Sequence, residues 1–521
     1  MGKHLKLPKL KIQRVRALLG IFWLMGLFLQ NACTVGPNYA PPCMEVPEQF
    51  KEAPKGWKFA CPCDAIDRGP WWEMFHDPLL TKMMCRVGTY NENIAVAFAQ
   101  YQQARVLIDQ NSAAFYPLVF GDASITEQKV SSSGGIGSTS PTGAVIGTSG
   151  KGSGFVDKFT TYSISGTATW VPDLWGSVKR MVEASIAGAQ ASAAQMAAVT
   201  LSMQGTLAQT YFQLRAADLN QKILDDTVID YRKTLQITIN RYNAGTAQRL
   251  DILQAQSQLD TAINASQDNK IARAQFEHAI AVLMGMLPEC LSIKPIIQNL
   301  TPPCIPGVIA STLLERRPDI AQAERLVAEA NANIGVAIAA FFPSITITST
   351  GGYQSTDLSK LFSAPASFWS IGGQLMQTIY DGGVLIAKKD IACAAYNQSI
   401  ANYRQVVLSA FQNVEDNLVQ LRILKSEVRV QADAVDKAAA ALKIIINQYR
   451  VGTAQYSDVI LAQNTLYAAR QTLVNLKSRQ MVAAVGLIMA LGGGFHMCDV
   501  SAAGYEEYVV TCPCTEQTAN P

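Results

Sequence analysis

The sequence predicts an α+β membrane protein made of two structural repeats, each joining a pair of barrel strands to a very long coiled-coil helix. The first observation behind this is the repeat itself. Arg241-Tyr242-Asn243-Ala244-Gly245-Thr246-Ala247-Gln248 recurs 207 positions later as Gln448-Tyr449-Arg450-Val451-Gly452-Thr453-Ala454-Gln455, and the match runs on through Asp251/Asp458, Ala255/Ala462, Gln256/Gln463 and Leu259/Leu466. The second is a heptad seam. Val414, Leu421, Val428, Val435, Leu442 and Tyr449 lie seven apart, answered in the first copy by Leu207, Leu214, Gln221, Val228, Leu235 and Tyr242. The third is a set of strands that alternate between apolar residues and uncharged Ser or Thr.

The elements follow in chain order. Lys3, Lys6, Lys9, Lys11, Arg14 and Arg16 form a basic start, Ala17 to Leu29 an apolar core of 13 residues, and Ala32 is the small residue before Cys33. This reads as an export signal over 1–32, with Cys33 the lipidation site. The lipoprotein pattern wants Leu three before the cysteine; here Gln30 stands there and Leu29 one earlier, so ordinary cleavage with Cys33 left as a thiol is the alternative. The apolar run is too short to span a bilayer as a helix, which leaves spanning to strands.

Ala114-Phe115-Tyr116-Pro117 recurs as Ala340-Phe341-Phe342-Pro343, 226 positions on, so the first half carries 19 extra residues between its two anchors. The Ser/Gly-rich stretch Ser131 to Gly154 holds them, and Gly351 to Pro365 is its shorter counterpart; both read as loops. In Phe159 to Trp170, Tyr162, Ile164, Ala168 and Trp170 share one face and Thr161, Ser163, Ser165, Thr167 and Thr169 the other. Ser344 to Thr350 sets Ile345 and Ile347 against Ser344, Thr346, Thr348 and Thr350, and Trp369, Ile371, Leu375 and Ile379 supply a fourth apolar face. Uncharged hydroxyl faces suit a wetted lumen, while apolar faces bounded by Trp170, Trp369 and Tyr380 suit lipid and its interface. Four strands cannot close a barrel, whose smallest outer-membrane form needs about eight, so several chains must share one. No Pro interrupts Gly176 to Tyr242 or Gly383 to Tyr449; each predicts a helix of 67 residues, roughly 100 Å at 1.5 Å per residue.

Other classes find little support. Only 16% of the 521 residues are charged against 49% hydrophobic, with a net charge of +3, and no dense basic face exists beyond the first 16 residues, so nucleic acid is not an expected partner. There is no HExxH, no GxSxG and no paired metal spacing among the four His, so neither catalysis nor a cofactor or metal is expected. His278 is read as a packing residue beside Phe276 and Ile280, and Cys393 as a buried thiol. Of the eleven Cys, Cys61-Pro62-Cys63 and Cys512-Pro513-Cys514 form pairs, and Cys290 and Cys304 flank the joint between halves; in an oxidising compartment these six are candidate disulfide cysteines, with metal binding the alternative. A fibrous coiled-coil scaffold would not need the strands.

Several segments together resemble the TolC-type outer-membrane efflux factors, in the NodT/OprM-like lipoprotein branch. They are Cys33-Thr34-Val35-Gly36-Pro37-Asn38-Tyr39, Trp71-Trp72-Glu73-Met74-Phe75-His76-Asp77-Pro78-Leu79, Leu314-Glu315-Arg316-Arg317-Pro318-Asp319-Ile320, Tyr380-Asp381-Gly382-Gly383 and the two Gly-Thr turns. The resemblance implies a homotrimer whose twelve strands form one barrel in the outer-membrane lipid, continuous with an α-helical periplasmic tunnel. It implies an exit duct for small molecules, served by a periplasmic adaptor protein and an inner-membrane transporter; a duct for type I protein secretion is the alternative. The expected divisions are a signal peptide at 1–32, an N-terminal tail at 33–80, repeats at 81–286 and 308–490 about a linker at 287–307, and a C-terminal tail at 491–521.

The helix-reversal turns are expected at Gly245-Thr246 and Gly452-Thr453, with Asp251 and Asp458 just past them. In the family pattern these positions form the periplasmic gate. Asp458 falls on the first of two aspartate positions, Leu461 on the second, and Ala454 where a cation usually stands, so a more apolar constriction is expected. The pattern also implies a tie from Tyr449 to Asp251; helix capping by both aspartates is the simpler alternative.

Overall fold

The computed structural model describes residues 34–42, 51, 70–129, 158–303 and 317–493. Its helices are α1 (Pro78–Tyr90), α2 (Glu92–Ser112), α3 (Ser177–Asn243), α4 (Arg249–Leu283), α5 (Pro318–Ala339), α6 (Val384–Val451) and α7 (Tyr456–Ala490). Strands β1 (Leu118–Lys129) and β2 (Lys158–Trp170) precede α3; β3 (Ser344–Ser355) and β4 (Ser367–Met376) precede α6. The order α2-β1-β2-α3-α4 therefore recurs as α5-β3-β4-α6-α7, and α3 and α6 run unbroken for 67 and 68 residues.

Contacts divide the chain into two units. The first comprises Met1–Tyr39, Val106–Ser185 and Ala330–Ala395, and contains the sheet. All four strands pair antiparallel in the order β1-β2-β3-β4. Register brings the predicted apolar positions onto one face: Val119 pairs with Ala168, Ala168 with Ser349 and Ser349 with Ile371, while Ile164 pairs with Tyr353 and Ile345 with Leu375. The opposite face carries Thr167 and Thr350, whose hydroxyls lie 3.2 Å apart. Two boundaries differ from expectation. β3 continues through Gly351 and Gly352 to Ser355 because pairing with β2 extends to Tyr162, so only the remainder of the expected second loop is loop. Ile379 and Tyr380 lie past the end of β4 and are 96% and 90% exposed. The first predicted loop lies outside the described residues.

A turn follows β4. Gly382 and Gly383 adopt φ of 67° and 95°, a region that suits glycine. The Asp381 carboxylate accepts from the amides of Leu385 (2.8 Å) and Gly383 (2.9 Å), capping α6; these N–H groups, Leu385 first, hold its carboxyl below the usual range.

The second unit comprises Ala40–Arg105, Ile186–Glu329 and Tyr396–Pro521. Leu207 and Leu214 of the first seam and Val414 of the second are fully buried, as a heptad seam requires, whereas Tyr242 at its end is exposed. Trp71, Trp72, Leu80 and Met84 pack with Leu207, Tyr211, Ile280 and Val485 in its main core. Asp77 caps α1 through the amides of Leu79 and Leu80 and accepts the Tyr211 hydroxyl at 2.5 Å. Burial and the Asp77 carboxylate push that hydroxyl far above the ordinary tyrosine range. Arg215 donates to Tyr211 (3.1 Å), Asp218 (3.0 Å) and the Lys294 carbonyl (3.0 Å), and Arg273 closes on Asp218 at 2.6 Å. This buried chain fastens the Trp-Trp motif, α3, α4 and the linker. Cys393 is half-buried and His278 is exposed, so neither is the buried packing residue the sequence led one to expect.

Candidate functional site: the membrane face and the helical tips

The sheet presents its apolar face outward. Trp369, Ile371 and Leu375 are 82%, 73% and 65% exposed, joined by Val119 and Ile125. In water such a face is unfavourable at roughly 25 cal/mol per Å² of apolar surface; in a bilayer it is the required one. Among the described residues β1 and β4 each pair on one side only, so both edges of the sheet offer unpaired backbone groups. A bilayer tolerates no open edge. No helix among the described residues is long and apolar enough to cross a membrane.

In the second unit the two Gly-Thr turns have one geometry. Gly245 and Gly452 take φ of 72° and 89°, ending α3 and α6 in left-handed turns. The amides of Thr246 and Thr453 donate to the carbonyls of Arg241 and Gln448, both at 2.9 Å, and the threonine hydroxyls accompany them at 3.0 and 3.2 Å. Gln248 and Gln455 then form reciprocal capping boxes with Asp251 and Asp458, whose carboxylates accept from the Gln backbone amides at 3.3 and 3.2 Å.

The expected tie between Tyr449 and Asp251 is absent. Tyr449 is buried and its hydroxyl donates to Thr238 at 3.2 Å, while Asp251 is committed to its capping box. The reason is register: one turn of α3 presents Thr238 to the ring, and the first turn of α4 holds the carboxylate. Leu461 is exposed one turn beyond Asp458.

A residue the sequence reading passed over makes the closest link. Arg241 stacks over the Tyr449 ring, 4.3 Å to its centroid, and donates to the carbonyls of Tyr449 and Thr246. The available signal was the mismatch between copies, Arg241 where the second repeat has Gln448. Deeper in the bundle, Gln463 donates to Thr234 (2.8 Å) and Tyr231 to Asn464 (3.2 Å), so polar ties join the two helical hairpins over several turns.

Cys33, Cys61, Cys63, Cys304, Cys512 and Cys514 lie outside the described residues; Cys290 is an exposed thiol. No metal-binding cluster of His, Cys, Asp or Glu occurs among the described residues.

A lipid-facing sheet with two open edges, borne on a chain with paired coiled-coil hairpins, defines an outer-membrane channel protomer. Comparison with known proteins agrees. The outer membrane efflux protein family matches residues 89–286 and 309–493, and the chain belongs to that family. It is 29% identical over 474 residues to the cation efflux system protein CusC of Escherichia coli O6:H1, covering 89% of this chain and 96% of that one. It is 28% identical over 476 residues to the probable efflux pump outer membrane protein TtgC of Pseudomonas putida, covering 90% and 94%. The solved outer-membrane channel OprN superposes with a TM-score of 0.76 at 26% identity, over 88% of this chain and 99% of that one. The chain is an outer-membrane efflux channel.

Proposed function

We propose that this chain forms, as a homotrimer, the passive exit duct of a tripartite efflux system. Three copies complete a twelve-strand barrel, with the helices as the periplasmic tunnel, and small molecules delivered by an inner-membrane transporter and its periplasmic adaptor leave through it. The observation that carries the reading is the exposed apolar sheet with an unpaired edge on either side, which only further strands in the membrane can satisfy. The chain performs no chemistry of its own. Residues 1–32 act as the export signal and Cys33 takes the lipid. The helical tips close the duct at rest, Arg241 on Tyr449 being the latch within each chain and Asp251, Asp458 and Leu461 lining the mouth.

Detergent-purified protein, sized by light scattering and recorded in planar bilayers, tests this. A trimer that conducts is expected; a conducting monomer would overturn the shared barrel. Cys33→Ser is expected to abolish acyl labelling.

A further inference from the structure

Residues 34–38 of the first unit lie in a site shaped to hold them. Arg180, near the start of α3, has a side chain only 3% exposed and is committed to this segment: Nε donates to the Val35 carbonyl (3.2 Å), and Nη2 to the Gly36 carbonyl (3.2 Å) and Asn38 Oδ1 (2.9 Å). Its Nη1 pairs with Glu183 at 2.8 Å. Asn331 of α5 donates to the Pro37 carbonyl at 3.1 Å, and the Val35 amide donates to the Trp175 carbonyl at 3.2 Å. Two glycine contacts make the passage. Gly36, at φ +94°, approaches Gly335 so closely that a Cβ on Gly36 would stand 2.6 Å from the Gly335 Cα, and a Cβ on Gly176 would stand 2.5 Å from Thr34 Cγ2. A free leash would need neither a buried guanidinium nor these approaches.

The seat lies at the base of the sheet. Trp175, whose carbonyl receives Val35, stacks on Phe342 at 4.9 Å and donates to the Pro343 carbonyl, just before β3; Trp170, at the end of β2, donates to the Phe115 carbonyl just before β1. Aromatic residues with a polar tip at the end of a lipid-facing sheet mark the membrane–water interface.

We propose that Arg180, Gly176, Gly335 and Asn331 form a docking site for residues 34–38, which pins the lipid anchor to the base of the barrel and so sets where the protomer enters the membrane. The proposal rests on the acylation of Cys33. One peptide bond separates Cys33 from Thr34, about 3.8 Å between Cα atoms, so an anchor on Cys33 has no slack. The acyl chains then join the leaflet beside the β2–α3 junction, and the anchor acts as a positioning element rather than a tether of arbitrary length.

The test inserts six residues, Thr-Ser-Gly-Ser-Gly-Ser, between Cys33 and Thr34 of the full chain, leaving Thr after the cysteine and every docking contact intact. A flexible segment of that length lets the anchor wander about 14 Å. With acyl labelling retained, the spacer variant is expected to yield several-fold fewer heat-resistant trimers in the envelope. Arg180→Gln is expected to speed hydrogen exchange of the Val35 amide by about tenfold in purified protein, as the charged hydrogen bonds closing the segment are lost. A labelled spacer variant that assembles at the wild-type level, or Val35 exchange unchanged by Arg180→Gln, would overturn the proposal. Wild-type protein without acyl label overturns the acylation reading instead, and the exchange result stands apart from it. The spacer variant keeps Arg180, so a fold lost in Arg180→Gln does not blunt the test.

Discussion

Arg241→Met is the substitution that most directly tests the proposed closure of the tips. Arg241 gives the second repeat a stacked guanidinium and one donor to the Tyr449 carbonyl, and gives its own turn a donor to Thr246 at 3.2 Å. A cation over an aromatic ring contributes about 0.5–2 kcal/mol and a charged hydrogen bond about 1.5–3 kcal/mol. Because Arg241 is half-exposed, the low ends apply, about 2–4 kcal/mol per protomer, or roughly 30- to 1,000-fold in the balance between closed and open tips. Methionine keeps the aliphatic stem and removes every donor. Tyr449→Phe is the matched comparison: it keeps the ring and the carbonyl and loses only the neutral bond to Thr238, about 0.5–1.5 kcal/mol. Thr238 keeps its own bond to the Thr234 carbonyl at 3.0 Å, so no donor is orphaned. Single-channel recording should therefore show Arg241→Met strongly leaky and Tyr449→Phe close to wild type. The reverse order, or wild-type conductance in Arg241→Met, would refute the latch.

Asp218→Ala strips a buried partner from Arg215, both side chains being 1% exposed, and should destabilise by about 3–5 kcal/mol, read as a lower melting temperature; Lys222→Ala, in an exposed pair with Asp226, should leave melting unchanged. Gly352→Ala places a methyl 2.2 Å from the Ile164 carbonyl oxygen, forcing β2 and β3 apart, so heat-resistant trimers should disappear, whereas Gly372→Ala, which meets nothing within 4 Å, should assemble normally. If Cys61, Cys63, Cys512 and Cys514 bridge the two tails, non-reducing peptide mapping of fresh envelopes will recover joined peptides, and reduction will cost about 2–5 kcal/mol of stability; four free thiols would end that idea.

The sequence by itself determined the repeat, the two long helices almost to the residue, the strand faces and the need for other chains. Each is written in a local period, seven for the seam and two for the pleat, and such periods survive without knowledge of what lies opposite. The turns were legible for the same reason: Gly-Thr followed by Gln and Asp three apart is a self-contained capping signal. What only the tertiary structure decided is pairing across distance. Ser355 belongs to β3 because β2 is long enough to receive it, although Gly351 and Gly352 read as loop. Tyr449 meets Thr238 and Arg241 rather than Asp251 because helix register, not residue type, selects the neighbour. Arg180 carries no sign in sequence that it holds Val35, Gly36 and Asn38, some 140 residues upstream. A long cationic side chain reaches whatever carbonyls the packing brings near, and no local pattern encodes that reach.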